Sequence, residues 1–226
     1  MIRFFYNLSP NPMKVALCLE EMGLPYETVP VDTRKGEQFD PGYSAINPNG
    51  KVPAIVDGDV TVFDSNAILL YLAGKTGLFL PEGEPARGEM LSWLMFVATG
   101  IGPFSGQCVH FRHFARDGGA YATERYTYEA RRHWGVLDQQ LKDRAYVLGE
   151  TYTIVDMAVW GWARMVPFVL GDEAFKDMPN VKRLLDAINA RPAAQAAEAL
   201  KGRHTFKAEM DDEARGFMFR ATQTAA

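Results

Sequence analysis

Cysteine is nearly absent: Cys18 and Cys108 are the only two in 226 residues. That excludes a disulfide framework, and neither has a CxxC or zinc-type neighbour. Cys18 lies among apolar residues of a helical pattern, where a buried, inert thiol is the expected state. Histidine is equally sparse, and the spacing of His110, His113, His133 and His204 matches no metal motif, so no metal is expected. Basic charge is not in excess, with 24 Lys and Arg against 28 Asp and Glu and a net charge of -4. No field for nucleic acid results, and a small-molecule or protein partner is expected. Long apolar runs are missing too. "AVWGWARMVPFVL" is interrupted by Arg164 and Pro167, well short of the roughly 20 apolar residues that cross a bilayer. The opening segment has only "FFY" between Arg3 and Asn7, which does not read as a leader, so the expected location is cytoplasmic. No internal repeat is found.

What is present is core. At 47% hydrophobic residues, the chain can form one large domain or two small ones. "IRFFY" suits a short strand broken by "NLSPNP", and "MKVALCLEEMG" then places Val15, Leu19 and Met22 on one helix face with Lys14, Glu20 and Glu21 elsewhere. "YETVPVD" gives a second strand, parallel to the first, which Pro30 assigns to an edge. After a polar stretch from Thr33 to Asn49, "VPAIVDGDVTVFDS" reads as two strands around Asp57-Gly58, a hairpin signal, and "SNAILLYLAGKTG" follows as a helix. The expected fold class is α/β plus all-α. Residues 1–80 form a thioredoxin-like domain with a mixed four-stranded sheet and flanking helices, 81–87 a linker, 88–200 an all-helical bundle domain, and 201–226 a C-terminal extension. Helical patterns run over 87–100, about 120–142, 153–170, 179–190 and 193–200, and "GIGPFSGQ" is expected to kink or interrupt the first. The extension either caps a pocket or packs elsewhere, with "TQTAA" frayed.

The chemistry gathers in three stretches. In "NGKVPAIV", Pro53 either begins a strand or sits in a cis Val52-Pro53 turn that leaves the N–H and C=O of Val52 free for an extended peptide. In "DSNAILLYL", Ser65 is an N-cap candidate whose helix start suits a carboxylate, and Asp64 suits an ammonium group. Together these describe a short peptide with a free amino-acid end, and glutathione satisfies that description. In "YNLSPNP", Tyr6, Ser9 and Asn11 are donors near a helix start. Tyr6 also suits plain core, and Asn11 before Pro12 suits a helix N-cap.

"SPNPMKVALCLEEMGLPYE", "NPNGKVPAIVDG", "FDSNAILLYLA" and "TYTIVDMAVWGW", in that order, resemble the cytosolic glutathione S-transferase family over roughly residues 2–200. The resemblance implies the two-domain fold above, a homodimer, and a glutathione site beside a variable electrophile pocket. It puts Val52 and Pro53 on the cysteinyl backbone, Ser65 on the glutamyl carboxylate and Asp64 on the glutamyl amine. Lys51, with Gln38, is put near the glycyl carboxylate. Thr153 and Asp156 resemble the family's capping box. "SPNPMKVALCLEE" and "GIGPFSGQCVHF" look most like the bacterial nu class. That class implies Ser9 and Asn11 as catalytic groups, room for two glutathiones or one glutathione disulfide, and disulfide reduction. Arg132 is a further candidate for a glutathione carboxylate or else a surface ion pair, and among Trp93, Phe96, Phe104, Phe111 and Tyr128 one or two are expected to line the second pocket.

A thiol of pKa about 8.5 needs roughly 2.7 kcal/mol of preferential stabilisation to drop two units. A charged hydrogen bond of about 1.5–3 kcal/mol, with help from a helix N-terminus, suffices. No cysteine occupies positions 7 to 12, which argues against a mixed disulfide with the protein. The expected activity is glutathione-dependent reduction of a small disulfide. The alternatives are conjugation of glutathione to small electrophiles and a non-catalytic glutathione-binding or interaction protein, the last expected to lose Val52-Pro53 or the Asp64-Ser65 pair, both of which this chain keeps.

Overall fold

β-Branched and aromatic residues between turn formers set the strands. The computed structural model describes residues 1–115 and 119–219, so the "TQTAA" end lies outside the described residues. Strands β1 (Ile2–Tyr6), β2 (Tyr26–Pro30), β3 (Ala54–Asp57) and β4 (Val60–Phe63) form one sheet in the order β2-β1-β3-β4. β2 runs parallel to β1 at the edge where Pro30 needs no amide hydrogen, and β3 and β4 are antiparallel neighbours. The turn between them uses Gly58 at φ 61°. Helix α1 (Pro10–Glu21) joins β1 to β2, and α2 (Pro41–Ser44) and α3 (Ser65–Thr76) complete this half.

The pairing register decides where a ligand meets the sheet. Tyr6 is level with Pro30, Phe5 with Ala54, and Ala54 with Phe63. The segments leaving β1 and β2, entering β3 and leaving β4 therefore converge at one end.

The helical half comprises α4 (Glu84–Phe96), α5 (Gly102–Val109), α6 (Ala120–Gln140), α7 (Ile154–Ala163), α8 (Val166–Leu170), α9 (Pro179–Asn189) and α10 (Pro192–Ala199), with α11 (Asp212–Met218) in the extension. Two sequence readings change and one, the interruption expected at "GIGPFSGQ", holds. The stretch read as a linker over 81–87 becomes helical at Glu84, because Gly83 caps the helix and Pro85 fits its first turn. A π-helical turn at Val97–Ile101 separates α4 from α5 where Gly100 and Pro103 weaken the ladder. The helix read over 153–170 is two, since Pro167 fits only the start of a new one, α8.

α1 joins the halves. It packs on α7 and α10, and Gly161 of α7 allows the approach: a Cβ there would lie 2.5 Å from the carbonyl oxygen of Pro10. At its other end, Glu21 accepts two hydrogen bonds from Arg191, one at 2.9 Å, and the Arg191 guanidinium lies 4.1 Å from the Tyr152 ring centre. The Thr153–Asp156 capping box is formed as expected, with Asp156 accepting from the amides of Thr153 at 2.8 Å and Val147 at 2.9 Å. Burial still pushes the Asp156 carboxyl up to about 6.

Candidate functional site

Three turns meet at the convergent end of the sheet. The first is the start of α1. Helix formation begins at Pro10, with Ser9 as N-cap, exposed and with no capping hydrogen bond from its side chain. This corrects the reading of Asn11 as N-cap: Pro10, with φ already set and no amide hydrogen to lose, takes the first helical position. Asn11 instead accepts from the indole N–H of Trp162, at 3.0 Å to Oδ1. That fixes which end of the amide is the oxygen and leaves the NH₂ without a partner among the described residues. Tyr6 is fully buried core with its hydroxyl 3.0 Å from Nδ1 of His204. Burial raises its pKa.

The second turn is Val52-Pro53, which is cis. Tyr43 and Asn47 both donate to the carbonyl oxygen of Lys51 at 2.6 Å, and Val52 follows with its N–H and C=O unpartnered among the described residues. The Lys51 side chain is exposed. Gln38 is buried, with Nε2 donating to Thr33 O at 3.2 Å and Oε1 unpartnered.

The third is the start of α3, where Asp64 and not Ser65 is the N-cap. Asp64 sits at φ 72°, and its Oδ1 accepts from Asn66 N at 2.9 Å and Ala67 N at 3.1 Å. Asp and Ser cap about equally well, but Asp tolerates the left-handed φ that this position takes. Ser65 becomes the first helical residue, buried, and its Oγ accepts from Nζ of Lys14 at 3.3 Å.

Lys14 is the residue that the sequence pattern misassigned. It reads as part of the polar face of α1, yet it is 1% exposed, its stem against Gly161. The missed signal is Gly161 within the "AVWGWA" run, since a bare backbone position on a packed helix marks a close approach by something long. Trp162, one residue further, was likewise passed over.

Arg132 lies on α6 in an ion pair with Glu129, at 2.9 Å from Nε, and is half exposed. Phe96 and Phe104 flank His133 with ring centres 5.2 and 4.7 Å away, and Phe111 stacks on Tyr126 at 5.1 Å. Trp93 packs edge-on to Phe96, whereas Tyr128 is exposed on the outer face. Both cysteines are buried, and burial holds the Cys18 thiol well above its ordinary range.

The extension returns to this same end. Phe206 packs edge-on to Tyr6 at 5.7 Å, the amide of Lys207 donates to Asp32 at 2.7 Å, and Arg34 donates to the carbonyl oxygens of Lys207 and Ala208. Phe217 then covers Gly36, and Phe219 meets His110 at 4.6 Å. The described part of the extension crosses the sheet end and ties the loop after β2 to the second half.

Family models for the N-terminal and C-terminal domains of glutathione S-transferase match residues 8–75 and 111–192. The chain is 40% identical over 220 residues to disulfide-bond oxidoreductase YfcG of Escherichia coli, covering 94% of this chain and 98% of that one. It belongs to the glutathione S-transferase family. Among solved structures, this transferase-family chain superposes with a TM-score of 0.83 on a glutathione transferase from Burkholderia graminis with two glutathione molecules bound per subunit. That protein is 37% identical, with 90% of this chain and 89% of that one covered. A glutathione transferase from Pseudomonas putida, with one glutathione disulfide bound per subunit, superposes with a TM-score of 0.82 at 34% identity, covering 89% and 92%. The thioredoxin-like and helical halves expected from the sequence are thus those of the family.

Proposed function

We propose that this chain is a glutathione-dependent disulfide reductase. The observation that carries the reading is the pair of donors at the start of α1, the Ser9 hydroxyl and the Asn11 amide NH₂, with no partner among the described residues, in a helix start that lacks a cysteine. Such a site stabilises a ligand's thiolate and offers no protein sulfur to attack. Glutathione lies across the sheet end with its cysteinyl backbone on Val52, its glutamyl carboxylate on Ser65 and its glutamyl ammonium on Asp64. The glycyl carboxylate is near Lys51. Gln38, on the loop before it, and Arg132, half exposed on α6 beside Glu129, are the further candidates for the glutathione carboxylates.

The glutathione thiolate attacks one sulfur of a small disulfide, forming a mixed disulfide and expelling a thiolate that takes up a proton. A second glutathione thiolate then attacks the glutathionyl sulfur, so glutathione disulfide and a second thiol leave. Two glutathiones are oxidised for each disulfide reduced. The name of the Escherichia coli relative and the bound glutathione disulfide of the Pseudomonas putida structure support disulfide reduction as the activity.

The working unit in this reading is a cytoplasmic homodimer. Val60 and Phe63 on the edge strand and Leu91 and Met95 on α4 are large apolar side chains left exposed by the protomer, which supports pairing. The two unpaired, buried cysteines suit a reducing compartment.

Reduction of hydroxyethyl disulfide and conjugation of an aromatic halide, compared in one preparation with Ser9→Ala and Asn11→Ala beside it, test the proposal. Disulfide reduction that exceeds conjugation and collapses in the variants is expected. Tight glutathione binding with neither activity points instead to a carrier.

A further inference from the structure

We propose that Lys14 is a positioning residue of the glutamyl carboxylate seat, and that filling the seat draws a proton onto its amine. The inference rests on the glutathione reading above. Lys14 sits beneath Ser65, its Nζ 3.3 Å from the hydroxyl oxygen, the one hydrogen-bond partner it has among the described residues. An ammonium has three donors, so a single neutral acceptor leaves the buried charge poorly satisfied.

That single contact has a directional consequence. With a lone pair of Oγ held from below by Lys14, the hydroxyl hydrogen of Ser65 is turned outward, where the ligand's carboxylate would accept it. The charge of Lys14 then acts on the anion through a polarised hydroxyl. The seat is a helix N-terminus of twelve residues backed by a buried cation.

The surroundings leave the proton on Lys14 weakly held. Burial lowers its pKa to about 7, opposed only by the field of Asp64. α7 presents the bare Gly161, and Asp156 of α7 is engaged in its own cap. Glu198 of α10 is taken by Arg164 and Lys201, and Glu21 of α1 by Arg191. Among the described residues no unpaired acid other than Asp64 supports the charge, and a bound carboxylate adds the missing one. Binding is then linked to protonation: below pH 7 Lys14 is already charged, whereas between about 7 and its raised pKa in the complex Lys14 takes up a proton as the ligand binds.

Calorimetric titration of S-methylglutathione, which has no ionisable thiol, into wild-type protein and Lys14→Met tests this in buffers of different ionisation enthalpy. Wild type is expected to take up close to one proton at pH 8 and almost none at pH 6, with Kd rising across that range. The variant should bind about tenfold more weakly at pH 6, the order expected when a charged hydrogen-bond partner is lost, and show a flat profile. Where the variant does not fold, the Lys14 side-chain carbon resonance of wild type supplies the answer, its titration midpoint moving upward on saturation. Equal proton uptake in both proteins, or a resonance unmoved by ligand, overturns the inference while leaving the glutathione reading intact. No binding by wild type sinks the glutathione reading itself, and this inference with it.

Discussion

The indole N–H of Trp162 holds Oδ1 of Asn11 at 3.0 Å across the boundary between the two halves. The second half thereby aims the amide NH₂ of the first. Trp162→Phe removes that hold while keeping an aromatic ring, so in the proposed site the thiolate loses a directed donor. A charged hydrogen bond contributes about 1.5–3 kcal/mol, and Asn11→Ala is expected to lower kcat about tenfold to a hundredfold. Trp162→Phe should lower it less, with KM for glutathione nearly unchanged. The thiolate absorbance of bound glutathione, followed against pH, checks that the loss tracks a raised thiol pKa.

Asp64 caps α3 and, in the proposed function, also holds the glutamyl ammonium, two purposes that substitution can separate. Asn also caps a helix and accepts a left-handed φ, so Asp64→Asn should keep Tm close to wild type while raising KM for glutathione, because the ammonium partner is gone. Asp64→Ala should raise KM and also lose about 1 kcal/mol of stability. Thermal melts and steady-state kinetics on both variants separate capping from ligand binding.

Gly161→Ala is a single added methyl with no room. The carbonyl oxygen of Pro10 would be 2.5 Å from it, and backbone cannot step aside as a flexible side chain does. Overpacking of this kind costs about 1–3 kcal/mol. Chemical denaturation should show that loss, together with a larger fall in kcat than a remote variant of equal stability, since Pro10 opens the helix that carries Asn11 of the proposed site.

Gly36 combines φ +86° with the Phe217 ring on its open side, where a Cβ would meet carbon atoms at 2.6 Å. Gly36→Ala therefore displaces the end of the extension. Hydrogen exchange over residues 207–218 should quicken. Phe217→Ala, which leaves the loop backbone alone, should quicken the same segment and distinguish loss of the covering ring from strain in the loop.

Lys14→Met should stabilise the protein at neutral pH. The lysine pKa is lowered from 10.5 to about 7 by folding, so between those values the unfolded chain binds more protons and wild-type stability rises with pH. Below pH 7 the whole penalty is present, and above about 10.5 it disappears. Melting wild type and variant from pH 6 to pH 10 should show the variant ahead at the acid end and the gap closing towards the alkaline end.

The sheet and its binding turns were legible because they are local. Asp57-Gly58 marks a hairpin, Pro30 an edge and Pro53 a turn, each through the conformational limits of one or two residues. Thr153 and Asp156 announce their cap by spacing alone. What stayed hidden depends on residues far apart in the chain. Lys14 is an ionisable residue among apolar sequence neighbours, and only the packing of α7 and α3 decides that it points inward. Trp162 reads as core until Asn11, 151 positions away, proves to be its acceptor. Asp64 and Ser65 are both good caps, and the left-handed backbone at Asp64 settles their roles in a way that composition cannot.

α1 is gripped at both ends by the helical half, through Gly161 beside Pro10 and through Arg191 on Glu21. Any rotation of one half against the other would carry Ser9 and Asn11 away from the sulfur that the proposed reading puts before them. The protein is thus a poor candidate for hinge-driven tuning. Laboratory evolution towards bulkier disulfides should find its useful changes at the perimeter, in the extension over Gly36 and the rings around His133, and few along this keystone.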